Sequence, residues 1–183
     1  MKSLTCDSKK GREYESHEEK AILYIQEKRD VVITSTRSEG NEESKILEQD
    51  ILISKKDERG IYRLRAVGEF KNRDEFKRDS GIPLTLERLK GDRPNDGYMI
   101  SLRKLKSGQL MSESLKVPFV VIVNLLNDKY ILCWKVTNNK GEWLKKPESL
   151  KQETQKNIKG GNKLDNVVYL KLKETAFQLE KNY

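Results

Sequence analysis

Residues 46–73 read "ILEQDILISKKDERGIYRLRAVGEFKNR", and the fold turns on how this stretch is read. Aliphatic runs lie on either side of "KKDERG", and Asp57-Glu58-Arg59-Gly60 supplies the polar, glycine-ended sequence of a tight turn. The pattern predicts a hairpin of two strands, 46–56 and 61–71. Successive side chains of a strand point to opposite faces. Tyr62, Leu64, Ala66 and Phe70 should then line one side, with Glu69 and Lys71 together on the other. A solvated edge strand would explain that charged pair, and so would a reactive site.

Outward from the hairpin, helical and strand patterns alternate. Upstream, Glu13 to Arg29 places Tyr14, Glu18, Ala21, Ile22 and Ile25 on one helical stripe, and "VVITSTR" at 31–37 is β-branched and strand-like. Residues 1–12 are polar and basic and read as a flexible arm, ahead of a single domain over 13–183. Downstream, Pro83 and Gly91 bracket a short helix over 83–90, and "GDRPNDG" at 91–97 reads as a loop. Ser101 is placed to cap a helix running to Leu115, weakened by Gly108. Apolar runs at 117–126 and 129–136 predict two strands joined by Asn127-Asp128. Residues 138–163 hold seven lysines against three glutamates, with Pro147 and Gly160-Gly161, and read as a basic excursion. "NVVYLKL" at 166–172 then returns as a last strand. Up to that last strand the order α-β-β-β-α-α-β-β describes an α/β domain around one mixed sheet.

Composition narrows the partners. The 183 residues are 35% apolar and 36% charged, a lean core under a heavily charged surface. Lys and Arg outnumber Asp and Glu by 37 to 29, a net +8 that points to a polyanion, with nucleic acid the leading candidate. Two cysteines, Cys6 and Cys133, make no disulfide framework, and Cys133 in "YILCW" reads as a small core residue. No apolar run approaches a membrane span and no secretory segment is visible, so a soluble, cytoplasmic protein is expected. His17, the only histidine, is expected exposed on the first helix, and Trp134 and Trp143 in the core or at its rim.

Three carboxylates stand against apolar sequence. Glu18 interrupts the helical stripe, Asp50 directly precedes Ile51-Leu52-Ile53, and Glu69 ends the partner strand of the hairpin. Desolvating a carboxylate without a partner is costly, and a divalent cation compensates it. Mg²⁺ takes oxygen ligands in octahedral geometry and keeps several waters, so two carboxylates and a backbone carbonyl hold it. Lys71 would orient a water or neutralise charge developing on a phosphate. Glu15 and Glu19 flank Glu18 and leave open which helix carboxylate takes part.

Asp50 followed by Glu69-Phe70-Lys71 resembles the D…(D/E)-x-K signature of the PD-(D/E)xK, or restriction-endonuclease-like, nuclease superfamily. Gln49 stands where the proline usually precedes the aspartate. "E-x-x-A-x-x-Y-I" from Glu18 to Ile25, "QDILI" and "VGEFKNR" look like the Holliday-junction-resolvase-related branch, in which a helix glutamate joins the aspartate and a basic residue, here Arg73, follows the triplet. "GYMISLRKLKSGQLMSESLKVPFVVIV" is similar to small phage and mobile-element nucleases, in which a lysine-bearing helix leads into a "VPF" strand. The match spans roughly residues 13–137.

The resemblance implies a restriction-endonuclease-like mixed central sheet flanked by helices. It also implies a Mg²⁺-dependent endonuclease hydrolysing phosphodiesters in DNA, with Glu18, Asp50, Glu69 and Lys71 catalytic and with Asp50, Glu69 and the Phe70 carbonyl holding Mg²⁺, or Mn²⁺ in its place. Arg73, Lys104, Lys145, Lys146 and Lys151 would contact phosphates. Cutting both strands of a duplex needs two active sites, so a homodimer is expected. The rival reading keeps the fold as a nucleic-acid-binding or accessory interaction protein without significant catalysis.

Overall fold

Asp57 builds the turn at 57–60. Its carboxylate accepts the backbone N–H groups of Arg59 and Ile61 at 3.0 Å each, and Gly60 adopts φ +77°, a conformation open to glycine at no steric cost. The structure, a computed structural model, describes residues 9–36, 51–75, 81–91, 93, 95–155 and 162–183. Within them the elements run α1 (Lys9–Arg29), β1 (Val32–Ser35), β2 (Ile51–Lys56), β3 (Tyr62–Arg73), α2 (Leu86–Leu89), β4 (Tyr98–Ser101), α3 (Leu102–Leu115), β5 (Phe119–Leu125), β6 (Tyr130–Lys135), β7 (Ser149–Gln155), β8 (Asn162–Leu170) and β9 (Phe177–Glu180).

Six strands form a mixed sheet in the order β1-β2-β3-β5-β6-β9, in which only β3 and β5 are parallel. β3 is thus central, and both of its faces are covered. Ala66 and Phe70 pack with Ala21 and Ile25 of α1, whereas Val67 packs with Leu105 of α3. The expectation that Leu64 shares a face with Ala66 is corrected by a bulge. Ile53 pairs with Ala66 but Ser54 with Leu64, leaving Arg65 as an extra residue in β3. The inserted residue inverts the alternation, so Leu64 joins the α3-side core with Val67.

The single sheet expected from the sequence is corrected as well. β4, β8 and β7 form a second, three-stranded sheet, so the strand read at 166–172 begins at Asn162 and stays outside the central one. Part of the basic excursion is itself strand: Ser149–Gln155 has little apolar alternation of its own and is held by antiparallel pairing with β8. β4 and β9, absent from the sequence reading, alternate buried or half-buried Tyr98, Ile100, Phe177 and Leu179 with more exposed neighbours. α1 begins at Lys9, inside the segment read as an arm; residues 1–8 lie outside the described residues.

The helices sit where their small residues allow close approach. In α3, Leu105, Gly108 and Ser112 are buried, and a Cβ at Gly108 would lie 2.5 Å from the Phe119 ring. The glycine that weakens α3 as a helix is therefore what lets it lie on β5. α2 is one turn, shorter than the predicted 83–90, because Pro83 is taken up in a bridge to Glu75. Its Leu86 N–H is capped from a distance by the Asp128 carboxylate at 2.6 Å. No helix among the described residues is long and apolar enough to cross a membrane.

Candidate active site

From Ala66 onward β3 alternates between two buried faces, and that alternation carries Glu69 into the α3 side of the sheet. Gly68 makes the neighbouring approach possible. A Cβ there would meet Val120 at 2.9 Å and Ile51 at 3.1 Å, so the strands flanking Glu69 close tightly around the backbone. Glu69 itself is 1% exposed. Such a carboxylate needs charge beside it, and two lysines from different elements supply it. Lys71 of β3 places its Nζ 2.8 Å from Glu69 Oε1, and Lys104 of α3 reaches the same oxygen at 2.5 Å. Both ammonium groups thus converge on one oxygen. The other, Oε2, is buried and has no hydrogen-bond partner.

The remaining expected residues distribute as follows. Phe70 turns its ring to the α1 side, where it is fully buried. Arg73, half-buried at the end of β3, donates from Nη1 to the Asn72 carbonyl at 3.2 Å. Asp50 lies outside the described residues; its covalent neighbour Ile51 pairs with Gly68, the residue before Glu69. Glu18 is half-buried on α1, whose apolar stripe packs against the face opposite that of Glu69. The structure therefore brings Glu69, Lys71 and Lys104 together and sets Glu18 on the other side of the sheet. Among the described residues no group of three or more His, Cys, Asp or Glu side chains forms a metal cage.

Lys145, Lys146 and Lys151 are exposed, as a phosphate-contacting set requires. Lys145 pairs with Glu174, which raises its ammonium above the ordinary lysine range. Lys145 and Lys146 stand at the rim of a cavity of about 470 Å³ walled by Leu105, Trp134, Val168 and Leu170. Trp134 and Cys133 are buried and Trp143 is half-buried, as expected, while His17 is exposed on α1. Burial pushes the Cys133 thiol up to about 12, which makes it an inert core residue.

Sequence reasoning assigned Lys104 to phosphates and missed its convergence on Glu69, since nothing in a lysine-rich helix marks the one that turns inward. It also missed a buried amide pair, Asn72 and Asn124. A signal for it was present: Asn124 interrupts an otherwise apolar β5. Comparison of the chain with protein families, with curated proteins and with solved structures returns no match.

Proposed function

We propose that the protein is a metal-dependent nuclease that hydrolyses phosphodiester bonds in DNA, on a restriction-endonuclease-like core. The observation that carries this reading is the unshared oxygen of Glu69. A buried carboxylate with one oxygen held by two ammonium groups and the other unsatisfied is costly as a purely structural device. The same oxygen fits a divalent cation, whose ligands are oxygens. Glu69 and Asp50 would hold Mg²⁺ or Mn²⁺, with the Phe70 carbonyl as a third ligand. When bound, the ion supplies charge neutralisation of the phosphate and a water of lowered pKa.

The chain's own groups do the positioning. Lys71, beside Glu69 on β3, donates a hydrogen bond to the attacking water or to a non-bridging phosphate oxygen. Hydrolysis forms a bond from the water oxygen to phosphorus and breaks the bond from phosphorus to one sugar oxygen. The water gives up a proton, and the departing alkoxide gains one. Arg73 and the exposed Lys145, Lys146 and Lys151 contact the flanking backbone and fix register rather than sequence. A nicking assay on supercoiled and linear DNA, with and without Mg²⁺, tests the proposal on wild type and Glu69→Ala. Metal-dependent nicking by wild type that the variant lacks supports it. Folded wild type that binds DNA but never cleaves it with any divalent ion favours the binding-protein reading instead.

A further inference from the structure

Parallel strands leave a crevice outside their carboxyl ends, and ligands of α/β sheets bind there. β3 and β5 are the parallel pair, and a cleft of about 580 Å³ opens where β5 ends. His17 and Lys20 of α1, Lys129 of the β5–β6 turn and Lys181 after β9 contribute to its walls. Asp128 is the acidic group among them, and both of its oxygens are engaged by backbone N–H groups, of Leu86 at 2.6 Å and Lys129 at 2.7 Å. Lys129 is paired with Glu180.

The base of the crevice is a fixed polar network. Asn124 is 1% exposed within a strand whose seven residues are all buried. An ammonium can only donate, so the contacts of Lys181 Nζ to Asn124 Oδ1 at 2.9 Å and to the Leu125 carbonyl at 2.7 Å set the direction of the amide. Nδ2 of Asn124 then donates to Asn72 Oδ1 at 2.8 Å and toward the His17 carbonyl at 3.5 Å. Two of the three N–H donors of Lys181 are used inside the protein, which leaves the third for the cleft. Burial holds this ammonium below the ordinary lysine range, with Asp128 working in the other direction. Asn72 follows Lys71 in β3, so crevice and candidate active site share one strand end while opening on opposite faces.

We propose that this crevice takes a phosphate group of the nucleic-acid backbone, with Lys181 and Lys20 as direct contacts and Asn124 as the residue that positions Lys181. The inference rests on the nuclease reading for its ligand and extends the substrate path around the carboxyl ends of the central strands. The cationic groups come from three separate segments around an open cleft, an arrangement suited to a passing chain of phosphates rather than to one enclosed ion.

The test is binding of a fluorescently labelled DNA duplex by anisotropy at several salt concentrations, for wild type, Lys20→Gln and Lys181→Gln. Each variant should lower the slope of log affinity against log salt by roughly 0.9, the loss of one phosphate contact. Lys20 is exposed on α1, so its variant keeps the test decisive even if Lys181→Gln fails to fold. Unchanged slopes in the folded variants overturn the proposal. A parallel arm titrates inorganic phosphate while following the Asn124 side-chain amide by NMR. Shifts in that signal with unchanged duplex slopes would identify a free-anion site and overturn the backbone assignment. Nicking is scored separately. Reduced slopes without metal-dependent nicking leave the crevice standing and sink the nuclease reading, whereas nicking with unchanged slopes does the reverse. A wild type that binds no duplex sinks both.

Discussion

Two sets of lysines in this chain have the same chemistry and opposite surroundings. Lys71 and Lys104 leave a strand and a helix to meet at a carboxylate that is 1% exposed. Lys145, Lys146 and Lys151 stand in solvent, and the partner of Lys145 is an accessible glutamate. In the first set geometry is fixed by packing and the charges are weakly screened; in the second, water and salt dominate. A basic composition therefore says little about where chemistry occurs. The location of the desolvated carboxylate says more, because it dictates which of 37 cations have a fixed role.

The largest expected effect lies at that carboxylate. Glu69→Gln keeps the shape of the side chain and removes the charge, and it should lower metal-dependent cleavage by at least about 10²-fold while the circular dichroism spectrum stays that of wild type. Single-turnover cleavage at saturating Mg²⁺ is the measurement. Retained cleavage in the folded variant would erase the distinction between the two lysine sets, because the buried one would then be structural only.

How much of this was legible in the sequence follows from what each residue needs. The hairpin, the first helix and the two apolar strands could be read because periodicity and turn chemistry are local. Glu69 and Lys71 could be singled out because they sit two apart in a strand. Their environment could not: the Arg65 bulge, invisible to a period-2 reading, moves Leu64 across the sheet. Nor could the parallel pairing with β5, which makes this strand central and removes the solvated-edge explanation of its charged pair. Gly108 read as a flaw in a helix, and only its distance to the Phe119 ring gives it a purpose. β7 carries little apolar signal and exists through its pairing with β8. Asp50, the residue on which the motif depends, lies outside the described residues.

The exposed set is sharpened by a titration in salt. Replacing Lys145, Lys146 and Lys151 together with Gln should lower the log–log salt slope of DNA binding by about 2.7, at roughly 0.9 per lost contact. Cleavage at low salt and saturating DNA should hardly change. An unchanged slope would make the segment a solvated surface, and a matching loss of cleavage at saturation would move these lysines into the reactive set.

A smaller effect separates the two lysines that share Glu69. Removing the Lys104 charge leaves Glu69 less neutralised before metal arrives, so Lys104→Gln should bind Mn²⁺ more tightly. Lys104 is only partly exposed, so the bulk-water value of a unit charge at contact distance, about 1 kcal/mol or about fivefold in affinity, is the least effect expected. Paramagnetic resonance of free Mn²⁺ during titration reads this directly. Weaker binding in the variant would instead make Lys104 part of the scaffold that keeps Glu69 in place.

The smallest effect concerns Lys145 and the half-buried Glu174, the more accessible counterpart of the Glu69 cluster. Glu174 raises the Lys145 ammonium above its ordinary 10.5. A cation with a raised folded pKa contributes stability that is fully present below its unfolded value and is lost as pH rises through the folded one. The window therefore opens above pH 10.5. Because both side chains remain accessible to water, the contribution should be less than about 1 kcal/mol. Thermal unfolding of wild type and Lys145→Gln at pH 9 and at the alkaline end of the lysine range isolates the pair, since other titrating groups are common to both proteins. The melting temperatures should differ slightly at pH 9 and converge as pH rises. A large difference at pH 9 that 1 M salt leaves intact would place this pair with the buried one, against its exposure.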